Sequence, residues 1–215
     1  MKQIFARSAD KFLRVFLVAA LLVAAVAISL AAWLFNPQQT EIGYSPQQPV
    51  AYSHKLHAGD LGIDCRYCHF TVEQAGVAAP PPTEVCMNCH ARVKNTSPLL
   101  APVRESYANG TPIPWVRVHR LPDYVYFNHS AHVNAGVSCV SCHGRVDQMI
   151  EVKQVEPLNM LWCLECHRNP AARIRPREFV TKLGWTPDRD PAAIGRELIA
   201  ANRIAPPTDC SGCHR

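Results

Sequence analysis

A single N-terminal membrane helix followed by a domain of short helices and mostly irregular chain is the architecture this sequence predicts. Three observations predict it. Val15–Phe35 is a run of 21 residues with Ser29 as its only polar side chain. All 10 cysteines and half of the 10 histidines fall into five Cys-x-x-Cys-His motifs. Eighteen prolines are spread along 215 residues, which leaves little room for long regular elements outside the N-terminus.

The motifs are Cys65/Cys68/His69, Cys86/Cys89/His90, Cys139/Cys142/His143, Cys163/Cys166/His167 and Cys210/Cys213/His214. Cys-x-x-Cys-His is the attachment signature of c-type haem. Two thiols three residues apart reach the two vinyl edges of one porphyrin, and the next residue gives the iron its proximal imidazole. Five covalent c-type haems are therefore expected, with no cysteine left for a structural disulfide. Four-thiolate zinc sites also use paired Cys-x-x-Cys, but they would leave every adjacent histidine without a role. From Ala51 onward the chain offers about 33 residues for each haem, so much of the core is expected to be porphyrin rather than side chain.

Taken in order, Met1–Arg14 carries Lys2, Arg7, Lys11 and Arg14 against Asp10 alone. As a helix the following apolar run spans about 31 Å, enough for one bilayer crossing. The basic flank puts the N-terminus in the cytoplasm and the haem region across the inner membrane, on the periplasmic side. A cleaved signal peptide is the competing reading, with Ala25-Val26-Ala27 as the cleavage site. The continuation to Trp33-Leu34-Phe35, an interfacial aromatic belt, favours a retained anchor over residues 1–35. Residues 36–50, rich in Pro and Gln, read as an extended linker.

The haem domain, 51–215, contains a repeat. Tyr52-Ser-His54-Lys-Leu-His57 leads into Cys65-Arg-Tyr-Cys68-His69, and Phe127-Asn-His129-Ser-Ala-His132 leads into Cys139-Val-Ser-Cys142-His143 after a one-residue gap. Each copy is followed by a second motif, at separations of 21 and 24 residues between first cysteines. Two di-haem halves, 51–97 and 124–170, are thus joined by a Pro-rich connector, 98–123. Residues 171–215 bring the fifth motif. In that segment Asp190-Pro191 opens a short helix, with an Asp cap and Pro at the first position, ending near Asn202.

Five proximal histidines (His69, His90, His143, His167, His214) meet five others: His54, His57, His119, His129 and His132. Equal counts predict bis-His, six-coordinate irons. In the simplest assignment His54 and His129 serve the haem of their own repeat, while His57 and His132 reach neighbouring haems. His119 has no counterpart in the repeat. Met149 and Met160, which flank the fourth motif, are the alternative axial ligands. No open iron site for catalysis is expected. The formal charge of +5 omits the haem propionates and is no argument for nucleic acid.

These aromatic-x-His-x-x-His units with their motifs resemble class III multihaem cytochromes c, the c3/c7 type. The N-terminal anchor, the segment VHRLPDYVYFNHSAHVNAGVSCVSCHG, and the pair LNMLWCLECHR and PPTDCSGCHR are similar to the pentahaem cytochrome c subunit of bacterial alternative complex III. That resemblance implies an electron-transfer subunit, not an enzyme on its own, in a respiratory quinol-oxidising complex. Its implied partners are integral-membrane quinol-oxidising subunits, an iron–sulfur protein related to molybdopterin oxidoreductases, and a mono-haem cytochrome c or terminal oxidase as acceptor. The alternatives are a quinol-dehydrogenase anchor feeding a periplasmic reductase and a catalytic multihaem reductase.

Overall fold

The computed structural model describes residues 7–35 and 41–214, in two compact units divided after Thr40. The first unit is helix α1, Arg7–Leu34. Its span Ser8–Leu34 is long and apolar enough to cross a bilayer, a property shared by membrane anchors and N-terminal signal sequences. The basic residue Lys2 and the first part of the linker, 36–40, lie outside the described residues.

The second unit is built from short helices: α2 Cys65–Cys68, α3 Thr83–His90, α4 Ala101–Asn109, α5 His129–Asn134, α6 Val140–His143, α7 Met160–Arg168 and α8 Pro191–Asn202. One π turn, Lys55–Asp60, and several 3-10 turns lie between them. Among the described residues, β structure amounts to two isolated antiparallel bridges, Val125 with His214 and Val137 with Ile174. Among the described residues few apolar side chains are buried: Val72, Val133 and Val180 form one cluster, and Val50, Val103, Ile174, Leu183 and Ile194 are buried as well.

Short polar caps start α2, α5, α7 and α8. Asp64 accepts from the Arg66 amide at 2.9 Å, Asn128 from Ala131 at 3.3 Å and Asn159 from Trp162 at 2.9 Å. Each satisfies an amide that the first helical turn leaves without a partner. Asp190 caps α8 through Ala192 and Ala193, and the helix ends at Asn202 with Arg203 in the left-handed region. α3 and α4 are joined by a buried hydroxyl pair, Thr83 to Ser106 at 2.6 Å.

The stretch read as an extended linker is hydrogen-bonded to the rest of the domain from Gly43 onward. Gly43 N donates to the Gln154 carbonyl at 2.8 Å, and Gln154 N donates back to Tyr44 at 3.0 Å. The Gln48 amide then pairs with both backbone groups of Val116, at 2.9 and 3.0 Å. A Pro/Gln composition fits an extended path, and an extended path beside another strand of chain can be hydrogen-bonded along its edge.

The two copies of the repeat also differ in winding. The second His-x-x-His sits on α5, whereas the first leads into the π turn, whose Leu61 amide reaches back five residues to Leu56 at 3.0 Å. The cause is the one-residue gap: eight positions separate His57 from Cys65, and seven separate His132 from Cys139. A π turn takes up one extra residue without unravelling the element. Both copies then close alike, Ile63 N donating to His57 and Val137 N to His132, each at 3.0 Å. The π turn lies against the Val146–Gln148 turn of the other half. A Cβ at Gly59 would run into the Asp147 carbonyl oxygen, so only glycine permits this approach.

Candidate haem-ligand site

All five motifs are wound as a single helical turn. The histidine amide donates to the first cysteine's carbonyl in three of them, His69 to Cys65 at 2.8 Å, and His143 to Cys139 and His214 to Cys210 at 2.9 Å. The other two lie within α3 and α7. Helical winding puts residues three and four apart on one face, so both thiols and the following imidazole address the same space. All ten cysteines are free thiols.

Opposite the motif histidines stand the repeat histidines. His57 faces His90 with ring centres 6.2 Å apart, His129 faces His143 at 6.4 Å, and His132 faces His167 at 6.0 Å. A metal–imidazole bond is about 2 Å, and a ring nitrogen stands about 1.1 Å from its ring centre. Two imidazoles on opposite sides of one metal therefore have centres about 6.2 Å apart. All three pairs have that spacing. Among the described residues no three His, Cys, Asp or Glu side chains converge as they would around a zinc ion. The donors come in opposed pairs.

The unused ring nitrogens are held by the backbone. Nδ1 of His57 donates to Ser53 O at 2.9 Å and Nδ1 of His132 to Asn128 O at 2.7 Å, each four residues back in its own repeat. His69 donates to Ala79 O, His90 to Val93 O, His129 to Gly76 O, His167 to Pro207 O and His214 to Tyr124 O, at 2.7–3.2 Å. A carbonyl only accepts, so Nδ1 carries a proton in all seven, which leaves Nε2 as the nitrogen that a metal can engage. Burial works in the same direction. It lowers the pKa of His129 and His132, and takes His143 down to about 3, keeping the neutral form that can bind a metal.

His54 differs. Its Nδ1 is buried with no hydrogen-bond partner, and burial, with His69 and His57 nearby, lowers its pKa to about 4. A buried nitrogen without a partner is costly unless a ligand engages it, so this atom also fits a metal-binding role. His119 lies edge-on to His143, rings 83° apart, with its Nε2 3.4 Å from His143 Nδ1. That is the position backbone carbonyls occupy beside the other four motif histidines. Met160 is 65 % exposed at the start of α7, and the Met149 side chain lies beside Gly144.

Sequence reasoning did not assign a role to Tyr52 and Phe127. Each ring stacks on the second histidine of its repeat, at 4.5 and 4.6 Å, and meets the first edge-on, at 4.8 and 4.7 Å. The shared aromatic two positions before each His-x-x-His was the available sign of it. The accepting carbonyls had no such sign, because any residue supplies one.

Residues 125–215 match the family model described as cytochrome c7 and related cytochrome c. Over 120 residues, 55 % of this chain, the sequence is 36 % identical to the menaquinone reductase multiheme cytochrome c subunit of Nitratidesulfovibrio vulgaris. The match covers 54 % of that relative, so the chain spans about half of its length. Multihaem c-type cytochrome, haem binding and electron transport are what both comparisons support, and the C-terminal part of the chain is similar to the cytochrome c7 type.

Proposed function

We propose that this chain is a membrane-anchored pentahaem electron-transfer subunit of a respiratory quinol-oxidising complex, delivering electrons to a cytochrome or terminal oxidase. The observation that carries the reading is the set of three imidazole pairs at 6.0–6.4 Å, each with its second nitrogens fixed by carbonyls or by His119. When bound, c-type haem supplies one-electron Fe(II)/Fe(III) chemistry.

The chain's own residues hold and orient. In this reading the cysteine pairs anchor each porphyrin edge and His69, His90, His143, His167 and His214 are proximal ligands. His57 serves the site of Cys86/Cys89, His129 that of Cys139/Cys142, His132 that of Cys163/Cys166, and His54, by repeat equivalence, that of Cys65/Cys68. The partner of His214 is to be sought among His119, Met149 and Met160. Tyr52 and Phe127 pack against the imidazoles of their repeats and shield them from water. Where two imidazoles oppose each other, as at His90, His143 and His167, a bound iron would have no open coordination position, which favours electron relay over bond-making catalysis.

The name of the N. vulgaris relative favours a second reading, in which electrons run toward menaquinone instead. Purification from native membranes tests both. Pyridine haemochrome should give five c-type haems per chain, and a menaquinol analogue should reduce them in the intact complex. Haems oxidised by added menaquinone, and left oxidised by menaquinol, would reverse the direction. A preparation without Soret absorption would end the haem reading altogether.

A further inference from the structure

The order of the sites in space differs from their order in sequence. The first and second motifs are neighbours: His57 of the first repeat faces His90, and Asn88 inside the second motif donates to the Tyr67 hydroxyl inside the first at 3.0 Å. The first and third meet directly. Cys65 and Cys139 are adjacent, Cys65 Sγ points to Thr181 O, and Ser138 bonds the preceding Val180 O. The third and fourth are linked by His132 facing His167, with Cys142 within electrostatic reach of Cys163 and Cys166. The fourth and fifth follow: the His167 ring donates to Pro207 O, three residues before Cys210, and Cys163 is within electrostatic reach of Cys213.

A simple rule produces this order. In each half, the second histidine of the repeat reaches the motif that follows in sequence, so that motif lies outward from the repeat. The halves are joined through their first motifs. Two outward-running halves joined at their inner ends give a symmetric series, and the fifth site extends one end. Exposure agrees: Cys89 and Cys210, one at each end, are the exposed cysteines, and the other eight are partly buried.

We propose that the sites form one unbranched relay in the order Cys86/Cys89, Cys65/Cys68, Cys139/Cys142, Cys163/Cys166, Cys210/Cys213. The second motif in sequence, not the first, is one terminus, and the last motif is the other. The inference rests on the haem reading above. A one-electron donor docks at one terminus and a one-electron acceptor at the other, and each transfer oxidises one site as it reduces the next.

Anomalous diffraction at the iron edge on the full-chain holoprotein tests the order without measuring activity. The expected result is five iron peaks in one row, with the iron of His90 at one end, those of His69 and His143 adjacent, and the iron of His214 at the other end. An interior His90 iron, a branched array, or non-adjacent His69 and His143 irons would overturn the relay order while leaving the haem reading intact. Fewer than five peaks, with the order of those present unchanged, would instead overturn the pentahaem reading.

Discussion

Asp64 and Ser138 hold the same position in the two repeats, each just before the first cysteine, and they bond to consecutive residues of one later segment. Thr181 Oγ1 donates to Asp64 at 2.9 Å, and Ser138 Oγ donates to the Val180 carbonyl at 2.6 Å. Val180 is 2 % exposed and packs with Val72 of the first half and Val133 of the second. The C-terminal segment therefore clasps both halves at the point where Cys65 meets Cys139. One segment ties two attachment sites to each other, as a relay with a set spacing requires.

Removing the buried side of the clasp should destabilise the protein more than removing the exposed side. Ser138 is 1 % exposed, and Ser138→Ala leaves the Val180 carbonyl without its donor. The expected cost is about 1–3 kcal/mol, seen as a melting temperature lower by about 2–4 °C for each kcal/mol. Thr181→Val, on the solvent side, should cost under about 1 kcal/mol because water replaces the lost partner. Equal losses from the two variants in thermal melts of the holoprotein would refute the asymmetry.

Asp64 should also make a small contribution to acid sensitivity. The Arg66 guanidinium beside it, helped by the Thr181 hydroxyl, holds its carboxyl at about 2, below the ordinary 3.8. A depressed carboxyl stabilises the fold above its unfolded pKa, and that stability is lost as pH falls from about 4 toward 2. The pair is solvent-exposed, so the contribution should stay below about 1 kcal/mol. Asp64→Asn should flatten that part of the stability curve, measured by denaturant melts between pH 5 and pH 2.

The attachment motifs, the repeat, the apolar helix and the Asp190-Pro191 helix start were legible because each is a local pattern of side chains. Two histidines one turn apart were expected to diverge, and the rings of His57 and His132 lie opposite His90 and His167. The clasp was not. Nothing in Val180-Thr181 marks it as the meeting point of residues 42 and 117 positions away. The π turn was half visible: the gap in the repeat showed an extra residue, but not whether a loop or a helix would absorb it. The docking of Gly43–Gln48 was hidden because it uses backbone groups, the Ser45 hydroxyl and the Gln48 amide, none of which forms a pattern.

Gly59→Ala tests the contact that the π turn makes possible. A methyl group there meets the Asp147 carbonyl oxygen, a backbone atom that cannot swing aside. The turn must move off the Val146–Gln148 turn, at an expected cost of about 1–3 kcal/mol. Faster cleavage of holoprotein in the 55–62 region by a broad-specificity protease should accompany the lower melting temperature. A variant as stable and as resistant as the parent would show that the approach is not needed.

His132→Ala should disturb a haem other than the one its own repeat precedes. The ring faces His167 at 6.0 Å, so the iron at Cys163/Cys166 should lose its second imidazole and turn high-spin. The site of Cys139/Cys142, which has His129 opposite His143 at 6.4 Å, should stay low-spin. Electron paramagnetic resonance of the oxidised protein should show one new high-spin species. Combining His132→Ala with His129→Ala should give two, since the pair serves different irons. A single high-spin species in the double variant would mean that both histidines serve one site.

His119→Leu separates an orienting role from a ligand role. Four of the five motif histidines donate Nδ1 to a backbone carbonyl, and the fifth, His143, has His119 Nε2 at 3.4 Å in that place. A hydrogen bond to Nδ1 raises the electron-donating power of the imidazole and stabilises the oxidised iron. Losing it should raise the midpoint potential of one haem and leave all irons low-spin, because His129 and His143 still oppose each other. His119→Gln, which keeps an acceptor, should restore much of the original potential. A high-spin signal from His119→Leu would make His119 an axial ligand instead, and spectropotentiometry paired with resonance spectra distinguishes the two outcomes.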